Sequence, residues 1–130
     1  MYECVTDGVK VRVKTDYLED QSAPEDRRYV WAYTVEISNL TEQSVQLISR
    51  KWLITDALGH VEHVQGEGVV GDQPHIEPGG KFRYTSGAPL STPSGFMQGS
   101  YEMRTAEGTN FAARVPDFSL DRPDDRAQLH

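Results

Sequence analysis

Apolar and polar side chains alternate with a period of two along most of this chain. Val9, Val11 and Val13 alternate with lysine and arginine, and the odd-numbered residues from Tyr29 to Ile37 share one apolar face. These faces are built from β-branched and aromatic residues, which strand surfaces favour. A period of two is that of a half-buried β-strand, so the chain is predicted to be all-β. No segment shows a convincing helical period.

Later segments repeat this pattern and are separated by turn signals. Further strands are predicted over residues 45–55, 81–85, 97–104 and 111–115. The parity of the apolar positions changes between Leu47 and Trp52, and a β-bulge near residues 49–51 would reconcile the two halves. Glu77-Pro78-Gly79-Gly80 suits a type II turn, and residues 86–95 are predicted to be an irregular crossing. Short strands with a turn every ~8–12 residues predict an immunoglobulin or fibronectin type III-like β-sandwich of two antiparallel sheets.

Length and charge limit the organisation of the chain. Its 130 residues fit one domain, predicted over residues 1–120, with a charged, flexible tail over residues 121–130. The formal net charge of −7 argues against binding duplex nucleic acid, whose phosphates require clustered lysine and arginine. A small basic patch on one face is compatible with that total.

Cysteine content and apolar runs bear on location. The single cysteine, Cys4, has no partner for an internal disulfide, which fits a reducing compartment. We see no secretory leader, and the apolar runs are far shorter than the ~20 residues that span a bilayer. The expectation is a cytoplasmic protein that does not itself cross a membrane. Whether it forms a homo-oligomer stays open.

The segment Gly66-Glu67-Gly68-Val69-Val70-Gly71 fits the pattern G-x-G-x-x-G. A dinucleotide-binding fold needs a helix after such glycines, but Pro74 follows closely and no βαβ unit surrounds them. A weaker hypothesis makes Gly66, Gly68 and Gly71 a phosphate-binding loop that presents backbone N–H groups to an anion. The alternative is structural, with the glycines allowing close backbone approach at a bulged strand end.

Signals for catalysis and for metal binding are weak. His60 and His63 are three residues apart, which places them on opposite faces of a strand, and no zinc-ligand spacing is present. Cys4 has no nearby histidine and no nucleophile-elbow motif occurs. The chain is therefore predicted not to be an enzyme, with no cofactor and no metal site.

Residues 84–87 and 92–95 are two hydroxyl-rich segments that contain glycine. If the fold brings them together, they form a polar rim, and loops on a rigid β scaffold are a usual place for recognition. Thr85 and Ser86 are therefore candidate interaction residues. Arg50 is a third candidate, and Arg50 or Lys51 would also assist the glycine segment in binding a phosphate if the bulge brings them near it. Plain turn chemistry accounts for the hydroxyl residues equally well.

An ordered series of residues carries a family resemblance: Ser49-Arg50, Trp52, Gly66 to Gly71, Gln73-Pro74, Pro78-Gly79, Phe82, Tyr84 to Gly87, Thr92-Pro93, Gly95, Met97, Gly99, Tyr101, Met103, Val115-Pro116, Phe118 and Leu120. The series resembles the ApaG domain family from Val5 to Leu120. The resemblance implies a fibronectin type III-like β-sandwich. Bacterial members of the family are often described as cobalt and magnesium efflux proteins, and related domains in eukaryotic F-box proteins and in a polymerase-interacting protein imply protein binding.

Two functions follow from these observations, and direct binding of a divalent metal through His60, His63 or the acidic loop over residues 16–28 is a third, lower-ranked alternative. The first is a non-enzymatic protein–protein interaction module associated with Co²⁺/Mg²⁺ efflux without carrying it out. The second is a sensor that binds a phosphate, pyrophosphate or dinucleotide through the Gly66–Gly71 loop, with or without a divalent metal. The sequence does not identify the partner or the ligand.

Overall fold

The computed structural model describes residues 2–123, and its regular structure is built from strands. The nine strands are β1 (Tyr2–Thr6), β2 (Val9–Tyr17), β3 (Tyr29–Asn39), β4 (Val45–Asp56), β5 (Val61–Glu67), β6 (His75–Ile76), β7 (Lys81–Leu90), β8 (Ser94–Thr105) and β9 (Asn110–Asp121). Two short 3₁₀ turns lie in the acidic connection between β2 and β3. No helix within residues 2–123 is long and apolar enough to cross a bilayer. Residues 124–130 of the predicted flexible tail lie outside the described residues.

The strands form two antiparallel sheets. The first sheet has the strand order β1-β2-β3-β7. The second has the order β5-β4-β8-β9, with the short β6 pairing with β4 beyond β5. The two sheets enclose one hydrophobic core. The predicted all-β sandwich of two antiparallel sheets is therefore confirmed.

The core forms because the apolar positions of each strand share one face. The inward residues of the first half of β2, Val9, Val11 and Val13, are fully buried, and they pack with aromatic residues of both sheets. The ring centroids of Tyr33 and Trp52 are 5.5 Å apart, and those of Trp52 and Phe118 are 6.0 Å apart, with edge-to-face geometry in both pairs. Such pairs add to the burial of aromatic area. Stability therefore comes from the contact between the sheets, and the outer faces and edges can carry other roles.

Three features of the second half of the chain place the site. The β-bulge lies between Leu47 and Ser49, slightly before the predicted position, and it separates the two parities of β4. Residues 86–90, predicted to be irregular, are the second half of β7 and pair with β3. The strand β5 was not predicted. It carries mostly exposed residues, so it has little of the apolar periodicity that identifies a strand.

Candidate functional site

The two sides of the sandwich differ in how their edges are covered. On one side β1 lies against β9, where Tyr2 Oη is 2.8 Å from Ser119 Oγ and Arg114 N–H donates to Thr6 Oγ1 at 3.2 Å. On the other side the edge strands are β5 and β7, and within the described part of the chain each pairs with one strand. This second side, called the open side below, therefore presents strand edges.

Hydrogen bonds beyond the two ends of β5 define which of its backbone groups face outward. Gly68 N–H donates to Ile48 O at 2.8 Å, and Asp56 N–H donates to His60 O at 3.0 Å. In an antiparallel pair the hydrogen-bonded positions alternate along each strand. Even-numbered residues of β5 therefore bond to β4, and odd-numbered residues face away from the sheet. The outward backbone groups near the middle of the edge belong to Val61, His63 and Gln65.

The other edge of the open side, β7, is built differently. Asn39 N–H donates to Gly80 O at 3.0 Å, so the odd-numbered residues of β7 face outward by the same argument. Those positions include Lys81, Arg83 and Pro89. Lysine and proline on an edge strand discourage pairing with another chain. Proline is also tolerated at such a position because the missing N–H would point away from β3. The strand β5 has neither residue.

The glycine segment connects β5 to β6 through a two-residue hairpin. Val69 N–H donates to Asp72 O at 2.8 Å, and Asp72 N–H donates to Val69 O at 2.9 Å. The residues between them, Val70 and Gly71, have φ values of 44° and 80°. Positive φ at both central positions is that of a type I′ turn. Gly71 suits this conformation, but Val70 is β-branched and is strained there. Its side chain is 64% exposed at the tip of the hairpin.

Gly66 and Gly68 allow close packing beneath that hairpin. Gly68 has φ of 63°, and a Cβ atom there would collide with the carbonyl oxygen of Asp72. A Cβ atom on Gly66 would lie 2.8 Å from the guanidinium group of Arg50. Gly68 therefore requires glycine for steric reasons, whereas a side chain at Gly66 would displace the guanidinium of Arg50. Both observations support the structural interpretation of the motif. Phosphate binding by Gly66, Gly68 and Gly71 stays a prediction.

Arg50 joins the glycine segment to the open side. Its Nη1 atom donates to Gly68 O at 2.8 Å and to Glu67 O at 3.2 Å. Arg50 therefore lies near the glycine segment, which was the condition for a role of Arg50 there. Because Glu67 O accepts from Arg50, the outward edge of β5 is capped at this end, and the uncapped part runs from Val61 to Gln65.

Buried hydroxyl groups lie between the sheets next to Arg50. Tyr84 on β7 and Tyr101 on β8 place their hydroxyl oxygens 2.5 Å apart. Burial raises the pKa of both hydroxyls well above the ordinary tyrosine value. Burial also raises the pKa of Tyr33, although a hydrogen bond with Ser86 and the charge of Arg50 oppose the shift. These tyrosines therefore stay neutral at physiological pH, and the hydrogen bond between Tyr84 and Tyr101 connects the two sheets.

The predicted rim residues do not form one surface. Ser86 faces inward toward Tyr33, whereas Thr85 lies on the outer face of the first sheet, where its Oγ1 is 2.9 Å from Thr34 Oγ1. Adjacent residues of a strand point to opposite faces, so the two hydroxyls are separated by the sheet itself. Arg50 and Ser86 thus belong to the open side. Thr85 belongs to the outer face.

The histidines do not come together. His60 Nδ1 is 3.3 Å from Asp56 Oδ2 at the β4–β5 turn, His63 lies on β5, and His75 lies on β6. The carboxylate of Asp56 also accepts from Leu58 N–H at 2.9 Å, so it organises that turn. Among residues 2–123 no group of three or more histidine, cysteine, aspartate or glutamate side chains is arranged to hold a metal ion.

Comparison with known proteins shows one matching family and several similar proteins. The family model described as the ApaG domain matches residues 19–105. A protein from Maricaulis maris named Protein ApaG is 68% identical over 130 residues and covers 100% of both chains. A Protein ApaG from Rhodospirillum centenum is 55% identical over 128 residues and covers 98% of both chains. A crystal structure from Bordetella pertussis, described as an ApaA protein, superposes with a TM-score of 0.87 at 44% identity and covers 88% of this chain and 94% of its own.

Proposed function

We propose that this chain, which belongs to the ApaG domain family, is a non-enzymatic domain that binds a partner protein by adding a strand at β5. The observation that carries this proposal is the outward row of backbone N–H and C=O groups from Val61 to Gln65. An extended peptide can pair with such an edge through main-chain hydrogen bonds, while side-chain pockets select its sequence.

The other edges are less suited to strand addition. The edges of β1 and β9 lie against each other on the closed side. The outward positions of β7 carry Lys81, Arg83 and Pro89, which discourage pairing. Among the strands of the described chain, β5 is thus the edge that combines exposure with an uninterrupted set of donors and acceptors.

Side chains next to β5 offer selectivity. Val61 is 53% exposed, and Leu58 in the preceding turn is 66% exposed, so apolar groups stand beside one end of the edge. A shallow groove of about 710 Å³ runs along the outer face of the second sheet, and its lining includes Lys51, Gln65 and Glu102. An added strand would place alternate side chains over this groove. We therefore infer that the partner segment is extended and contains both apolar and charged residues.

A proline substitution tests the edge directly. Gln65→Pro removes one outward N–H without removing a bond to β4, and Gln65→Ala truncates the same side chain but keeps that N–H. We expect Gln65→Pro to weaken partner capture at least about tenfold, because a lost hydrogen bond and a steric clash together exceed ~1.4 kcal/mol. Gln65→Ala is expected to stay within a fewfold of wild type. The measurement is quantitative affinity enrichment from cell extract with all three immobilised proteins.

Two outcomes decide this test. Proteins retained by wild type and by Gln65→Ala but lost with Gln65→Pro support strand addition at β5. Equal retention by the three proteins contradicts it, provided that circular dichroism and thermal melting show Gln65→Pro to be folded.

The link to cobalt and magnesium efflux, which the family resemblance implies, fits this proposal as an indirect one. The partner bound at β5 would then belong to the transport system, and this domain would assist or regulate it. The same two variants extend the test, since Gln65→Pro should impair tolerance of high Co²⁺ in the cell and Gln65→Ala should not.

A phosphate-containing ligand at the glycine segment is the second candidate. The observation that favours it is the guanidinium of Arg50, which lies against Gly66 and Gly68. Two N–H groups of the segment, those of Gly68 and Val69, already donate within the protein, so an anion would depend on the outward N–H of Glu67 and on those of Val70 and Gly71. Titration with pyrophosphate, with and without Mg²⁺, distinguishes the candidates, since saturable amide shifts confined to residues 66–71 would support the ligand.

A further inference from the structure

The outer face of the first sheet has a charge opposite to that of the chain as a whole. Five of the thirteen lysine and arginine residues lie there, whereas three of the twenty acidic residues do, in a chain with a net charge of −7. The cations are Lys10, Arg12, Lys14, Lys81 and Arg83, and the carboxylates are Glu3, Asp16 and Glu36. This surface, called the basic face below, is separate from the open side and does not depend on the function proposed for β5.

The cations of the basic face form two parallel rows. Lys10, Arg12 and Lys14 follow one another at alternate positions of β2, about 6.7 Å apart. Lys81 and Arg83 do the same on β7. The strand β3 lies between the rows, which places them about 10 Å apart. The repeat along each row equals that of the side chains on one side of an extended peptide.

The ion pairs within the basic face leave part of its charge unmatched. Glu36 lies between the rows, 3.8 Å from Arg12 Nη1 and 3.8 Å from Lys81 Nζ. These separations exceed those of charge-assisted hydrogen bonds. Arg12 Nε also lies 3.3 Å from Glu3 Oε1, and Lys14 Nζ lies 4.0 Å from Asp16 Oδ2. Lys10 and Arg83 form no ion pair within residues 2–123. Arg83 lines a small depression of about 120 Å³ together with Arg12, Val13, Lys14, Thr34 and the acidic Glu36.

A buried hydroxyl group adds an unused donor to this face. Ser38 lies directly between Lys10 and Lys81 in the cross-strand register and is 3% exposed. Its Oγ atom has no hydrogen-bond partner in the described part of the protein. Buried hydroxyls usually have a partner. The Oγ atom has almost no exposed surface, so a carboxylate approaching between the two lysines would reach it only after the side chains that cover it move aside.

From this geometry we infer that the basic face binds an extended acidic segment of a partner protein, which lies along β3 with its carboxylates between the two rows of cations. Acidic residues at alternate positions of such a segment match the repeat of Lys10, Arg12 and Lys14. One carboxylate of the segment would enter the depression beside Arg12, Lys14 and Arg83, where Glu36 opposes it. Charge complementarity of this kind selects partners and speeds association.

A duplex nucleic acid fits this surface less well than a short peptide. The cations on β2 span only about 13 Å, whereas a duplex carries a negative charge every ~1.7 Å along its whole length. Beyond the basic face it would meet the acidic connection that contains Glu19, Asp20, Glu25 and Asp26, all of which are exposed. A short acidic peptide can remain within the basic face.

The test is an amide NMR titration of the full chain with an oligoglutamate peptide of about six residues, long enough to span the face at ~3.3 Å per residue. Saturable shifts are expected in β2, β3 and β7. The double charge reversal Lys10→Glu/Arg83→Glu should weaken binding at least about tenfold. The control Lys51→Glu/Arg114→Glu changes the net charge equally but on the second sheet, and it should weaken binding about twofold or less.

A gain of affinity provides an independent check. Glu36→Gln removes the carboxylate between the two rows and should tighten peptide binding about two- to threefold. Equal losses in the two double variants, shifts centred outside the basic face, or a duplex oligonucleotide that binds as tightly as the peptide would each overturn the inference. Spectra of each free variant establish that the fold is retained.

Discussion

Val70 is a β-branched residue held at φ of 44° and is largely exposed at the tip of a type I′ hairpin. L-residues other than glycine, asparagine and aspartate pay about 1–2 kcal/mol in this region. Val70→Asn creates the Asn-Gly pair that this turn type favours. We therefore expect the free energy of unfolding to rise by about 1 kcal/mol, measured by urea denaturation.

A matched control separates turn strain from a general effect of asparagine. Val61 is also an exposed valine, but it lies in β5 and has no positive φ. Val61→Asn is expected to be neutral or mildly destabilising, because asparagine is disfavoured in strands. If Val70→Asn fails to stabilise the protein relative to wild type, Val70 is not strained as described. If it stabilises the fold but weakens partner capture, the exposed valine is retained for binding, since strained residues cluster at functional sites.

At the scale of elements, the Tyr84–Tyr101 hydrogen bond is a polar link between β7 of one sheet and β8 of the other. Removing one hydroxyl leaves the other buried and unpaired, which costs about 1–3 kcal/mol, whereas removing both can be nearly neutral. Tyr84→Phe and Tyr101→Phe should each destabilise the fold. The double variant should be destabilised by clearly less than the sum, measured as a double-mutant cycle in urea. Additive losses would show that the two hydroxyls are not coupled.

The same pair makes stability depend on alkaline pH. Burial raises the folded-state pKa of Tyr84 and Tyr101 above the ordinary value of 10.0. The unfolded chain releases these protons near pH 10 while the folded chain keeps them, so their contribution is fully present below that pH and is lost as the pH rises toward the folded pKa. The free energy of unfolding should therefore fall above about pH 10, and it should fall less steeply in the double phenylalanine variant.

How well each strand could be predicted follows from how it buries its residues. The strands β2 and β3 each place apolar residues on one buried face, so alternation identifies them. In β5 none of the seven residues is buried, and its two valines are three residues apart, so they do not share a face. A strand held by backbone bonds to β4 at one edge leaves little trace in side-chain hydrophobicity. Gly87 and Pro89 predicted a turn in the second half of β7, but they lie in a strand there because an edge strand tolerates both residues.

The candidate site was predictable only in part, because it depends on backbone pairing and side-chain conformation. The bulge in β4 was visible from the change of parity between Leu47 and Trp52, and it led to the expectation that Arg50 approaches the glycine segment. Donation from Arg50 to Gly68 O depends on a side-chain conformation that the sequence does not encode locally. The outward row of β5 depends on which backbone groups bond to β4. No residue type signals that choice, so the edge could be found only in the folded chain.

At the scale of the whole molecule, the open side and the basic face bind different features of a partner. The edge of β5 offers main-chain hydrogen bonds with selectivity from side chains, while the basic face offers charge to an acidic segment. They lie on different sheets, so a single partner could engage both with two segments. Linked engagement of that kind raises overall affinity through effective concentration. Lys10→Glu/Arg83→Glu should then weaken binding of the acidic peptide while Gln65→Pro leaves it unchanged. Both variants should weaken binding of a partner that engages the two surfaces.

Native-state hydrogen exchange should report the asymmetry between the two sides of the sandwich. Glu62, Val64 and Gly66 bond to β4 from an edge that carries no fully buried residue, so their amides should exchange through local opening at a free energy well below that of global unfolding. Val11 and Tyr101, which are fully buried in strands paired on both sides, should exchange only on global unfolding.

A bound partner makes this measurement decisive for the edge. Strand addition at β5 gives the amides of Val61, His63 and Gln65 new acceptors, so these outward positions should gain protection along with the inward ones. A partner that only covers side chains of the outer face would slow exchange by burial, but it would not specifically protect the outward N–H groups of Val61, His63 and Gln65. If β5 in the free protein exchanges as slowly as β4, the inference that β5 is weakly held is wrong. Strand addition at β5 would then still be tested by the protection of its outward N–H groups.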